Sequence, residues 1–270
     1  MRILFLGDVV GRAAREAVVR RVPHLRTHLS LDAVIVNGEN AAGGFGITPA
    51  IADAFFDAGV DVITTGNHAW DQADIQTYIE QEHRLLRPVN YPSGTPGRGV
   101  GLFAIGGQNL LVVNVMGQLF MESLDCPFAS IERELTASPL RDVADAIVVD
   151  VHAEASSEKM AMGHFCDGLV SLVVGTHTHT PSADAQILPA GTAYQTDAGM
   201  CGDYDSVIGM QKEEALSRFL TKMRRGRLQP ALGEPSLCGV IVETDPASGL
   251  ARSIVPFREG GRLASTEPSR

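Results

Sequence analysis

The 270-residue sequence predicts an α/β fold of mixed β-sheets, two of them stacked against each other with helices outside. Three observations predict it. The N-terminal part alternates short apolar runs with helix-like segments, as parallel strands joined by crossovers do. From about residue 100 the spacing tightens, and GVGLFAI and LLVVNV lie either side of Gly106-Gly107-Gln108-Asn109 like the arms of a hairpin. Further short apolar runs continue to about residue 257, and crossovers combined with hairpins give sheets with both parallel and antiparallel neighbours.

Taken in order, residues 2 to 6 (RILFL) and 33 to 36 (AVIV) are strand-like runs. The stretch between them reads as a helix interrupted near Pro23, completing a βαβ unit. TPAIADAFFDAG is a second helix, with Thr48 at the N-cap, Pro49 at the first helical position and Gly59 at the stop. VDVITTGNH supplies a third strand. After the hairpin, AIVVDVHA, LVSLVVGTH, TAYQTD, LCGVIVET and RSIVPF are the remaining strands. No repeat, low-complexity tract or linker divides the chain, so one domain is expected over residues 1–264, with 265–270 a frayed tail.

Composition narrows the function classes. Hydrophobic residues make up 44% and charged ones 20%, the balance of a globular protein rather than a disordered one. No apolar run is long enough to span a bilayer, and the N-terminus carries no signal-like pattern. The formal charge of -10 argues against an extended basic surface for nucleic acid, and the 6% aromatic content offers no obvious stacking platform. A small phosphate ester remains compatible, since a pair of cations can reverse the sign of a local site. Cys126, Cys166, Cys201 and Cys238 are scattered with no C-x-x-C pair, which removes zinc-knuckle and redox motifs and suits a reduced cytoplasmic setting. A homo-oligomer is expected on general grounds alone.

The chemistry gathers at strand ends. Asp8 follows the first strand in FLGDVVGR, NGEN follows the second, GNHAWD the third, and VHAEAS and GTHTH two later ones. Ligands of open α/β sheets collect beyond the carboxyl ends of strands, so these segments should converge. Singly, each residue has an ordinary role: Asp8 a helix cap, Asn37 or Asn40 a turn residue, His152 a hydrogen-bonded core histidine. On an extended segment His177 and His179 would share one face about 7 Å apart, which suits two neighbouring metals better than one. Together, nitrogen and oxygen donors without thiolate suit Fe, Mn or Zn. AAGGFG (41–46) lacks the G-x-x-x-x-G-K-[ST] form, so it reads as a sharp backbone turn rather than a P-loop.

These residues resemble the calcineurin-like metallophosphoesterases through GNH (66–68), His152 and GTHTH (175–179). Two motifs depart from that superfamily: Val10 stands where it has a histidine, and Glu39 where it has a bridging aspartate. The departures are similar to those of the bacterial YmdB-like phosphodiesterases, as are GDVVGR, NGENAAGGFGIT, TTGNHAWD, HAEASSEK, GTHTHTPSAD and GDYDSVIGM. The resemblance implies a four-layer α/β/β/α sandwich of two mixed β-sheets flanked by helices, and two divalent ions, iron or manganese. It implies one ion on Asp8, Glu39, Asn40 and His179 and the other on Glu39, Asn67, His152 and His177. Glu39 bridges both, and Asn40 takes the place of the histidine absent at Val10. Ligand chemistry alone leaves zinc open.

Paired metals can lower the pKa of a shared water, making a bridging hydroxide, and orient it for in-line attack on phosphorus. His68, next to Asn67, is the candidate general acid, with Asp71 placed to orient its imidazole or to cap a helix beginning near Trp70. The expected activity is hydrolysis of a small phosphodiester, and the resemblance suggests 2',3'- or 3',5'-cyclic nucleotides. The competing expectation is a regulatory protein that binds a nucleotide or partner and keeps its metal centre mainly for folding. His68 beside a full ligand set favours the enzyme, because binding alone needs no proton donor. Thr178, Asp197 and the 202–210 segment are expected near the pocket, without assigned chemistry, and Met200 and Cys201 in packing.

Overall fold

Successive side chains of a strand point to opposite faces, so a strand that is apolar on both must lie between two layers. Residues Arg2–Leu6 form such a strand, β1, in which Ile3, Leu4, Phe5 and Leu6 are all fully buried. The structure, a computed structural model, describes residues 1–266. After β1 come α1 (Gly11–His28), β2 (Ala33–Asn37), α2 (Pro49–Asp57), β3 (Val62–Thr64), α3 (Ile75–Gln81) and β4 (Leu85–Leu86). The hairpin β5 (Val100–Ile105) and β6 (Gln108–Met116) leads through α4 (Pro127–Ala137) to β7 (Ala146–His152), α5 (Ser156–Phe165) and β8 (Leu172–Thr176). β9 (Gln186–Ile187), β10 (Ala193–Gln195), α6 (Lys212–Thr221), β11 (Leu237–Thr244) and β12 (Ala251–Glu259) complete the described residues.

The strands form two mixed six-stranded sheets, ordered β12-β11-β1-β2-β3-β4 and β5-β6-β7-β8-β10-β9. Ile3, Phe5 and Ile35 of the first sheet share one core with Leu110, Val112, Val148 and Leu172 of the second. The alternate residues Leu4, Leu6, Val34 and Val36 pack instead with Val18 and Val22 of α1 and Phe55 of α2. On the far side, Ile147, Val149 and Val151 pack with Ile131 of α4 and Met162 of α5. This period-two division of side chains builds the expected α/β/β/α layering. Each large apolar side chain taken from water contributes roughly 1.5–3 kcal/mol, which makes these three clusters the main source of cohesion.

Several local expectations change. Helix α1 runs unbroken through Pro23, because Val22 and Leu25 on either side are buried in the core and hold the turn that proline weakens. Thr48 occupies the N-cap of α2 with extended backbone, but its side chain makes no capping bond. The hairpin turn consists of Gly106 and Gly107 alone, with φ of 57° and 83°, so Gln108 and Asn109 already belong to β6. Of the expected tail, Thr266 exchanges two backbone hydrogen bonds with Arg258, and 267–270 lie outside the described residues. No helix among the described residues is long and apolar enough to cross a membrane.

Candidate metal centre

Asp8, Glu39, Asn40, Asn67, His68, His152, His177 and His179 lie at or just beyond the carboxyl ends of β1, β2, β3, β7 and β8, and the fold brings all of them together. Backbone bonds lock the first two segments to each other: the Val9 N–H donates to the Asn37 carbonyl and the Gly11 N–H to the Asn40 carbonyl. Asp8 is no helix cap, since α1 has no side-chain capping bond; its two oxygens instead accept the His177 N–H at 3.2 Å.

One donor set surrounds His152 Nε2. Asn67 Oδ1 lies 2.9 Å from it, Glu39 Oε1 3.1 Å and His177 Nδ1 3.1 Å. The other ring nitrogen of His152 is occupied, while that of His177 has only a nearby carboxylate. His152 Nδ1 is 2.9 Å from Thr176 Oγ1, whose hydroxyl donates to Asp150, and His177 Nε2 is 3.2 Å from a Glu154 oxygen. Lone pairs therefore converge at hydrogen-bond spacing with too few protons between them, an arrangement that fits a cation. Gly66 makes the room: a Cβ there would stand 2.3 Å from both Glu39 Oε2 and His152 Nε2.

The second set combines Asp8, Glu39 and His179. His179 Nδ1 lies 2.8 Å from the Ile208 carbonyl, which fixes the proton on that nitrogen and turns Nε2 inward, 3.2 Å from Asn40 Oδ1 and 3.9 Å from Asp8 Oδ1. The Asn40 amide donates to the Gly44 carbonyl at 3.1 Å, so its oxygen faces the centre. Gly44, at a φ of 88°, lets AAGGFG fold back far enough to present that carbonyl, as the turn reading of this loop expects. Glu39 is common to both sets.

The electrostatics ask for positive charge. Asp8 is fully buried, and burial pushes its carboxyl above the ordinary range. Burial pushes Glu39 the same way, but His152, His68 and His177 outweigh it and hold the carboxyl down at about 2. Burial disfavours a charged His152, yet Glu39, Asp8 and Asp150 overcome it and raise its pKa, while burial and His152 lower His177 to about 3. Among the described residues, no Lys or Arg pairs with Asp8 or Glu39; Lys159 is committed to Asp197 at 2.7 Å. A divalent cation at either set would compete with protons for the same lone pairs.

Beside these sets, His68 Nδ1 lies 2.8 Å from Asp71 Oδ2, and the His68 N–H donates to Glu39 Oε2. Asp71 thus partners the imidazole and caps nothing, because α3 begins only at Ile75. A cleft of about 540 Å³ opens here, lined by Asn67, His68, Asp71, Phe120, Met121, Glu122 and His177. His177 and His179 do not share a strand face: the chain bends after β8, with φ of 93° and 67° at the two histidines. The His177 N–H bond to Asp8 and the His179 bond to Ile208 hold that strained backbone in place. Thr178 points to Asp197, which accepts its N–H and hydroxyl, while Met200 and Cys201 pack in cores.

Sequence reasoning missed Asp150 and Thr176, which brace His152, and Phe120 on the cleft lining. Asp150 alone had a signal, a carboxylate inside an apolar strand and two residues from His152, hence on the same face. It accepts hydrogen bonds from Thr64, Thr176 and Asn37 and so braces the Thr176 hydroxyl that holds His152.

Known proteins extend the comparison. A 2',3'-cyclic-nucleotide 2'-phosphodiesterase of Bacillus subtilis is 44% identical over 245 residues, covering 91% of this chain and 92% of that protein. The crystal structure of a Thermus thermophilus protein described as hypothetical superposes with a TM-score of 0.89 at 42% identity, covering 97% of this chain and all of the other. That of a novel phosphatase from Mycoplasma pneumoniae gives 0.89 at 32% identity, over 96% and 93%. A profile of the YmdB-like protein family matches residues 4–257, and with these likenesses along nearly the whole length, the chain belongs to that family.

Proposed function

We propose that the chain is a dinuclear-metal phosphodiesterase acting on cyclic nucleotides, with the 2',3'-cyclic form preferred over the 3',5'-cyclic form. The observation that carries this reading is the pair of donor sets sharing Glu39, with His68 and Asp71 on the wall of the adjoining cleft. The name of the Bacillus relative supports the 2',3'-cyclic choice. Carboxylate, carboxamide and imidazole donors accept iron, manganese or zinc, and the family resemblance favours iron or manganese at both positions. Two such cations, when bound, supply an activated water and neutralise charge building on the phosphoryl oxygens.

The chain's own residues set the geometry and move the proton. Asp71 occupies His68 Nδ1 and leaves Nε2 as the nitrogen free to exchange a proton. As the oxygen of water joins phosphorus and the P–O2' bond breaks, His68 Nε2 gives its proton to the departing oxygen, leaving a 3'-phosphomonoester. Asp150 and Thr176 hold the His152 ring still.

The test is metal content followed by a cyclic-nucleotide panel on one preparation. Two ions per chain and turnover of adenosine 2',3'-cyclic phosphate are expected. His68→Ala should keep both ions and lose roughly 10²–10⁴-fold in kcat. A fully loaded protein that turns over no member of the panel overturns the reading, and loss of metal from His68→Ala overturns its proton-donor role.

A further inference from the structure

Phe120 breaks two rules at once. Its side chain is 92% exposed, and its φ of 63° lies in the left-handed region that bulky residues avoid. A slack loop does not account for this, because the segment is tied down on both sides. The Gly117 N–H donates to the His152 carbonyl, and the Gln118 and Leu119 N–H groups donate to the two oxygens of Glu158 at 2.9 and 3.2 Å. The Met121 N–H closes the turn onto the Gln118 carbonyl, and the Gln118 amide reaches the Leu124 carbonyl at 2.6 Å. Glu158 is itself buried, at 8% exposure, on α5. A conformation held in place at this cost, with an apolar ring left in solvent, points to a use for the ring.

Its position suggests which use. Phe120 and Met121 line the same cleft as Asn67, His68, His177 and the carboxylates Asp71 and Glu122, so apolar side chains stand in the cleft that adjoins the donor sets. We propose that Phe120 is the platform on which the nucleobase of the substrate stacks, and that Glu158 is the positioning residue that holds it there. This inference rests on the cyclic-nucleotide reading given above. Every base has a π-face, so the platform selects nucleosides over base-free diesters without choosing strongly among bases. The HAEASSEK stretch thereby acquires two duties: His152 belongs to a donor set, and Glu158 on the helix that follows anchors the segment carrying Phe120.

The experiment uses the metal-loaded full chain with adenosine 2',3'-cyclic phosphate and with methyl riboside 2',3'-cyclic phosphate, which lacks a base. Phe120→Ala should raise KM for the adenosine compound about ten-fold, the effect of losing one stacked base, and leave its kcat and the base-free KM unchanged. Phe120→Trp should restore the low KM. Glu158→Gln, which keeps one of the two acceptor oxygens, should raise the same KM by a smaller factor. Equal KM values for wild type and Phe120→Ala, or an equal rise with both substrates, overturn the platform. A binding measurement separates this from the reaction itself. The added tryptophan fluorescence of Phe120→Trp should be quenched by adenosine 3'-monophosphate and not by ribose 5-phosphate or inorganic phosphate. Quenching without turnover supports the platform and counts against the phosphodiesterase reading; turnover without quenching overturns the platform alone.

Discussion

Asn40→Ala separates the two proposed metal positions. The side chain is 3% exposed, its Oδ1 lies 3.2 Å from His179 Nε2, and its amide donates to the Gly44 carbonyl at 3.1 Å. Truncation therefore removes one donor from the Asp8, Glu39 and His179 set and leaves a buried carbonyl short of a partner. Groups that merely orient a metal ligand are worth about 10–100-fold in affinity, so loss of a donor should cost at least the upper end, roughly 100-fold or 3 kcal/mol. The orphaned Gly44 carbonyl adds about 1–3 kcal/mol to the folding cost, which the melting temperature of the chelator-treated protein reads separately. Asn67, His152 and His177 are untouched. Titrating metal into stripped protein should show one position filling as in wild type and the other filling about 100-fold later. Asn67→Ala should weaken the opposite position. Two unchanged affinities for Asn40→Ala would refute its assignment as a donor, and simultaneous loss of both ions would refute the division into two sets.

Two further predictions concern the supports of the centre. Lys159 is 1% exposed and paired with Asp197, so Lys159→Met leaves a buried carboxylate uncompensated and should cost about 3–5 kcal/mol; an unchanged melting temperature would refute this. Burial raises the Asp150 carboxyl from 3.8 to about 6. Between those values the folded chain keeps a proton that the unfolded chain has lost, so this group's contribution falls as pH rises through about 4 to 6 and is flat above. In chelator-treated protein, Asp150→Asn should gain on wild type between pH 4 and pH 8 by at most about 3 kcal/mol. A difference in melting temperature that is independent of pH would rule out the shift.

The layering was legible because β1, β2 and β8, and β7 as far as Asp150, are apolar on both faces, and only a strand between layers tolerates that. The convergence of the site was legible for a related reason: polar residues placed directly after such strands have one end of the sheet to share. What stayed hidden depends on backbone set by distant contacts. The Ile208 carbonyl that turns His179 carries no side-chain signature, and the bend at His177 exists because Asp8 accepts its N–H from another sheet. Phe120 was lost in an average, since low aromatic content says nothing about where one ring stands. Pro23 misled for a tertiary reason, as burial of Val22 and Leu25 offsets the roughly 3 kcal/mol that proline costs inside a helix.

The pairing of Val10 with Asn40 follows from the same geometry. Val10 is 2% exposed, packs with Met200 and Met210, and lies so close to Gly209 that a Cβ on that glycine would fall 2.7 Å from Val10 Cγ1. Its N–H is committed to the Cys201 carbonyl. An imidazole at position 10 would displace this cluster, and the nearby segment carrying Ile208, which holds His179, would have to move with it. Asn40 avoids the conflict by approaching from the loop after β2, where Gly44 can return a carbonyl to its amide. Val10→His in the wild-type background should therefore unsettle His179 rather than add a donor, and metal affinity at the Asp8 and His179 set should fall. A gain in affinity there would show that position 10 still faces the centre and that the packing argument is wrong.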